Sequence, residues 1–177
     1  VFEWRQKTET PQRTAAVLTS LRDRYGIDAV QFYDNNCVRN ESHAREQADL
    51  IAPLGLRWWA EGRIDAFLRY SDDTLRELRR SGAKMIFFGA ESGSDAALAS
   101  MNKGITSAQT LQLARRIREF DIIPEFSFVV GDPSNPEEDT RNTIRFVRKI
   151  KRLNPDAEII VQHYIPVPNP EGMYGGV

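Results

Sequence analysis

Residues 83–95, "AKMIFFGAESGSD", set the terms on which the rest of the chain is read. The run from Met85 to Phe88 would be apolar on both faces of a strand, as expected of a strand covered on both sides. Gly89 follows, and then Glu91, Ser92, Gly93, Ser94 and Asp95, a dense group of hydrogen-bonding residues. A strand therefore gives way within a few residues to a polar turn and the start of a helix. In parallel α/β folds that junction is where ligands bind, because loops and helix N-termini converge there.

The same pattern recurs on either side. Strand-like runs are "DAVQFYDNN" (28–36), "LRWWAEGR" (56–63), "AKMIFFGAE" (83–91), "IIPEFSFVVGD" (122–132) and "AEIIVQHYIP" (157–166). Each is too short and too rich in β-formers to be preferred as helix. Helical patterns separate them: "PQRTAAVLTSLRDRYG", "ESHAREQADLIAPL", "SDDTLRELRRSG", "ITSAQTLQLARRIREF" and "PEEDTRNTIRFVRKIKRL". Pro11 opens the first and Gly26 closes it, while Ser71 and Thr106 are N-caps whose side chains can accept from free backbone N–H groups. Asp72 and Asp73 are read as solvated caps. Leu75, Leu78, Leu111, Ala114 and Ile117 mark apolar helix faces. Strict alternation of this kind predicts α/β architecture with a parallel sheet, one domain over 1–177, and about five βα units against the eight of a complete TIM barrel.

Composition narrows the class. The chain has 177 residues, 41% hydrophobic and 28% charged, as in a globular protein, with a net charge of -1 that favours neither nucleic acid nor an anionic membrane as partner. No apolar run is long enough to span a bilayer, so the expected location is the cytoplasm. Cys37 is the sole cysteine, which leaves no internal disulfide and no cysteine metal site completed within the sequence. The start at Val1 and the strand-like end suggest a fragment of a longer protein.

Every predicted strand ends in chemistry: Asp34, Asn35 and Asn36; Glu61 and Arg63; Glu91, Ser92 and Ser94; Gly131 and Asp132; Gln162, His163 and Tyr164. Singly, each is an ordinary turn or cap. Glu61 and Glu91 are the least turn-like, since a carboxylate within or against an apolar run must find partners or suffer desolvation. The spacing of Glu61 and Arg63 puts both on one face of a strand, and Arg63 is a candidate partner for either glutamate. Such a group suits a polar ligand, with Glu accepting from amine or ribose hydroxyls, Arg holding a carboxylate, and Ser92, Gly93 and Ser94 adding donors. Trp58 and Trp59 are adjacent, so one faces the barrel interior and one the helices. His43 reads as a surface residue and His163 as core or rim. The basic groups Arg115, Arg116, Arg118, Arg145, Arg148, Lys149, Lys151 and Arg152 read as solvated helix faces.

Three stretches, "WWAEGRID", "SDDTLRELRRSGAKMIFFGAESGSDAALASMNKGIT" and "FSFVVGDPSNPEEDTRNTIRFVRKIKRLNPD", together resemble the core domain of radical S-adenosylmethionine (SAM) enzymes. The likeness is strongest to the branch with a cobalamin-binding domain ahead of the core, and it runs from about Pro11 to Pro170. It implies a partial TIM-type (β/α)6 barrel, here without its first strand and cluster loop. It also implies a [4Fe-4S] cluster on three cysteines of a C-x-x-x-C-x-x-C loop, with SAM on the unique iron cleaved reductively to methionine and a 5'-deoxyadenosyl radical. A small-molecule substrate, an electron donor such as a flavodoxin or ferredoxin, and a cobalamin-dependent methyl transfer belong to the same expectation.

By position, the resemblance puts SAM contacts at Asp34, Asn35, Asn36, Glu61, Arg63, Glu91, Ser92, Ser94 and Gly131. Asp34–Asn36 stand where the family often has Gly-Gly-Glu. Gly131, Asp132, Pro133 and Ser134 stand for Gly-Phe-Pro-Gly, and "IPVPNP" resembles a Pro-rich loop. Cys37 falls after what would be the second strand and is not one of the three ligands. The alternatives are a noncatalytic barrel that has lost its cluster, and an unrelated α/β barrel with Glu61 or Glu91 as acid or base.

Overall fold

A computed structural model of the chain describes residues 9–34, 38, 40–131 and 135–165. Seven α-helices and five strands follow one another among them: α1 (Pro11–Tyr25), β1 (Ala29–Gln31), α2 (Glu41–Ile51), β2 (Arg57–Gly62), α3 (Ile64–Arg69), α4 (Asp72–Arg80), β3 (Ala83–Glu91), α5 (Asp95–Ser100), α6 (Ser107–Ile117), β4 (Ile123–Val130), α7 (Pro136–Leu153) and β5 (Glu158–His163). All four neighbouring strand pairs are parallel, and their order in the sheet is their order in the chain. Such a sheet winds in one direction and curls into a half-barrel, whereas a doubly wound sheet would reverse its order at a switch point.

The local signals account for the helix boundaries. Thr10 accepts from the Arg13 N–H before α1, and Gly26 ends that helix at φ +64°. Ser71 caps α4, and Thr106 and Gln109 form a reciprocal capping box on α6. α3 has no counterpart among the expected helical patterns, while α5 begins where a helix start is expected after the polar turn; each is only six residues long. Segments this short are held by tertiary contacts and carry too little periodicity to be read from sequence.

Alternation along the strands divides the core from the concave face. Trp58, Ala60, Ile86, Phe88, Ala90, Phe126 and Phe128 are buried against the helices. Phe67 of α3 meets Phe88 edge-on at 5.0 Å, Phe146 of α7 meets Phe128 at 6.0 Å, and the Trp58 indole N–H donates to Ser81 behind α4. Truncating a fully buried phenylalanine such as Phe67 costs about 3–5 kcal/mol, so this layer holds α3 in place. Trp59 points the other way, its N–H donating to Glu125 at 2.9 Å and its ring 6.1 Å from Phe87. The two tryptophans thus divide between the sheet faces as expected.

The first strand is shorter than its sequence run. β1 ends at Gln31, with one further bond from the Phe32 N–H to Trp59, because its only pairing among the described residues is to β2. Asp34 therefore stands beyond the ladder and is exposed. His43 also departs from expectation: it is half-buried on α2, and both ring nitrogens are shielded without a hydrogen-bond partner among the described residues.

Candidate functional site

A pocket of about 270 Å³ opens at the carboxyl ends of β2 and β3, lined by Glu61, Arg63, Asp65, Phe87, Glu91 and Lys103 among others. It is slightly smaller than the roughly 300 Å³ at which pockets begin to bury whole small ligands, so it has room for one end of an extended molecule. Phe87 supplies an apolar floor, and charged groups supply the walls.

Glu91 is the most constrained of these groups. Its φ is +59°, a left-handed conformation that a non-glycine residue adopts only when its surroundings impose it. The β3–β4 register shifts between Gly89 and Glu91, and this bulge re-aims the glutamate away from the ladder. Its carboxylate pairs with the Lys103 ammonium at 2.6 Å, the Glu91 side chain being 16% exposed and that of Lys103 41%. Gly89 makes this possible. A Cβ there would lie 2.6 Å from the Glu91 carboxylate oxygen, so any larger residue would displace the pair. Lys103 reaches the site from the connection between α5 and α6, which is fixed where the Asp95 carboxylate accepts from the Ser107 N–H at 2.7 Å.

Glu61 lies on the same concave face at the end of β2, half-buried, with no hydrogen bond or ion pair to the described residues. Arg63 is not on the strand. It is the extended residue that precedes α3, and it pairs with Asp65 at 2.9 Å instead of with either glutamate. The chain turns into α3 immediately after Gly62, which ends the alternation on which a shared strand face depended. Burial pushes the Asp65 carboxyl up, but hydrogen bonds and charge from Arg63 and then Arg69 outweigh it and hold it below its ordinary value.

The serines of the opening stretch do other work. Ser92 is buried, its N–H donating to the Ala90 carbonyl and its hydroxyl accepting from the Ser94 N–H at 3.1 Å. Ser94 caps α5 through the Ala97 N–H. Together they fix the turn that follows Glu91. Gly131 sits at φ +90° after β4 and donates its N–H to Asp139 of α7, tying that strand end to the helix. His163 is exposed, at the rim. Asn35, Asn36, Cys37, Asp132, Pro133, Ser134 and residues 166–170 of the Pro-rich loop lie outside the described residues.

Lys103 and Asp65 were not identified as site residues from the sequence. Lys103 left one signal, a cation in a glycine-bounded turn, "MNKG", just downstream of Glu91. Asp65 follows the Arg63 it holds by two residues, at the start of a helix too short to anticipate.

A singly wound parallel half-barrel with a charged pocket at its strand ends defines a partial TIM-type barrel domain. The chain belongs to the Radical SAM superfamily, whose sequence profile matches residues 3–147. It is 27% identical over 151 residues to an uncharacterized methyltransferase of Pyrococcus horikoshii, covering 84% of this chain and 32% of that protein. It is 29% identical over 133 residues to the cytidylyl-2-hydroxyethylphosphonate methyltransferase of Streptomyces wedmorensis, covering 73% and 25%. The chain thus spans a third or less of these two relatives. Among solved structures, the radical S-adenosylmethionine methyltransferase TsrM from Kitasatospora setae, with cobalamin and a [4Fe-4S] cluster bound, superposes with a TM-score of 0.74. That match is 16% identical and covers 93% of this chain and 33% of the other, a likeness of fold.

Proposed function

We propose that residues 1–177 form the SAM-facing part of a radical SAM enzyme. The protein that carries them would cleave SAM reductively at a [4Fe-4S] cluster and use the resulting 5'-deoxyadenosyl radical on a small-molecule substrate. Cobalamin-dependent methyl transfer is the favoured outcome, supported by the methyltransferase relatives and by the cobalamin bound in TsrM. A flavodoxin or ferredoxin would supply the electron. The expected setting is the cytoplasm, and no described helix is long and apolar enough to cross a membrane.

The single observation that carries the reading is Glu91, strained at φ +59° and, among the described residues, paired only to a half-exposed lysine in a pocket at the strand ends. Glu91 and Glu61, which has no partner among the described residues, suit the amine and ribose hydroxyls of SAM, while Lys103 and Arg63 suit its carboxylate. Asp34 and Gly131 belong to the rim, with Asn35 and Asn36 assigned by sequence position alone. Ser92 and Ser94 would act by holding the Glu91 backbone. The cluster is a different matter. Cys37 is the sole cysteine of the sequence, so these residues do not supply a three-thiolate set, and its ligands would come from outside residues 1–177.

The lone cysteine also favours a second reading, a noncatalytic SAM-binding barrel. Reconstituting the full-length protein with iron and sulfide, reducing it, and assaying 5'-deoxyadenosine separates the two. Reductant-dependent product with SAM binding supports the enzyme. Binding without cleavage supports the scaffold, and absence of SAM binding overturns both.

A further inference from the structure

Arg116 on α6 makes four polar contacts, none of them to the pocket. Its guanidinium donates to the carbonyls of Phe67 at 3.2 Å, Leu68 at 2.9 Å and Tyr70 at 2.6 Å, and to the Asp72 carboxylate at 2.7 Å. The three carbonyls lie at the C-terminal end of α3, where the chain leaves the helix at Tyr70 in an extended conformation and the last carbonyls have no intrahelical partner. Asp72 opens α4. One side chain, 22% exposed, therefore completes the end of one helix and the beginning of the next.

The opposite end of α3 forms a wall of the pocket through Arg63, Ile64 and Asp65. This helix has six residues and no side-chain cap at its N-terminus, so it has little stability of its own. At about 1.5 Å per residue, the clamped carbonyls of residues 67–70 are only some 3–8 Å along the axis from Asp65, which holds Arg63. A shift at the clamped end is transmitted along this length, since a single helical turn offers few bonds to absorb it.

We infer that Arg116 is a positioning residue for the pocket, acting through α3 to set the Arg63–Asp65 pair against Glu61 and Glu91. The inference rests on the SAM-binding reading above. Its bland counterpart is a helix-end contact that contributes to stability alone. The two differ in chemistry: a planar fork reaches several carbonyls at once, whereas a lysine ammonium is a compact charge that keeps the helix-end electrostatics but loses the simultaneous bonds.

The test is SAM binding by calorimetry in the full-length protein. Arg116→Lys should weaken binding several-fold and Arg116→Ala roughly tenfold, the scale of losing hydrogen bonds from a charged donor. Arg118→Lys, in the turn that follows α6 and, among the described residues, donating to the Leu153 carbonyl at 3.5 Å, should leave binding unchanged. The decisive arm is the Arg63→Ala background, where Arg116→Lys should have no further effect because the group it positions is gone. Equal losses in both backgrounds, or wild-type affinity in Arg116→Lys, would overturn the inference. If Arg116→Ala does not fold, the lysine variant carries the test. A wild-type protein that fails to bind SAM overturns the reading of the pocket itself, and this inference with it.

Discussion

Two glutamates, Glu41 and Glu91, solve the problem of a carboxylate at a helix–strand boundary in opposite ways. Glu41, at the start of α2, accepts from the Ser71 N–H at 2.7 Å, the Ser71 hydroxyl at 2.6 Å and the Thr74 hydroxyl at 2.6 Å. Those donors hold its pKa down at about 2, from an ordinary 4.5. It is a cross-brace joining α2 to the cap of α4, and its acceptor capacity is turned inward. Glu91 has, among the described residues, one side-chain partner, the exposed Lys103, and a backbone in the left-handed region. A carboxylate satisfied by fixed donors stabilises a fold. One held under strain with a replaceable partner is available to a ligand.

The contrast predicts a separation of effects. The largest is on ligand binding: Glu91→Ala should weaken SAM binding by at least about 2 kcal/mol, roughly thirtyfold in Kd by calorimetry, because a charged hydrogen-bonding group is lost from the pocket. Unchanged affinity would remove Glu91 from the site. Glu41→Gln should reverse the pattern, lowering unfolding free energy in urea by about 1–2 kcal/mol, after allowance for solvent screening, with SAM affinity intact.

A pH series sharpens the difference further. Since the folded pKa of Glu41 lies below its unfolded value, its contribution is full above pH 4.5 and is lost as pH falls through about 2. Denaturant midpoints measured across that window should fall less steeply in Glu41→Gln than in the wild type; parallel curves would exclude Glu41 as a source of the acid sensitivity. The smallest effect is expected of Glu91→Gly, which should raise stability by about 0.5–1 kcal/mol through relief of the positive φ while still impairing SAM binding. A loss of stability would mean that the Glu91–Lys103 pair outweighs the strain.

Much of this was legible in the residues. The five strands fall within the apolar runs because each is short, β-rich and bounded by turn chemistry, and the alternation with capped helices fixed the α/β class. Glu91 stood out as a carboxylate against an apolar run, and it lies at the pocket. Arg63 lines the pocket but not from a strand face shared with Glu61, because spacing along the strand does not carry through the point where α3 begins. Ser92 was grouped with Glu91 by proximity, yet the bulge and the reversed φ at Glu91 separate their directions, leaving Ser92 buried in the turn.

The sequence by itself determined the order of elements, the parallel sheet and the concentration of polar groups at strand ends, because those depend on periodicity, propensity and capping over short windows. Tertiary structure alone decided which charges meet. Lys103 reaches Glu91 across a helix–loop excursion, Arg116 reaches α3 from a helix nearly fifty residues on, and Arg63 turns to Asp65. The Glu91–Lys103 pair and the Arg116 clamp depend on distances of a few ångströms between elements brought together by folding, and the Arg63–Asp65 pair on a helix too short to read from its periodicity.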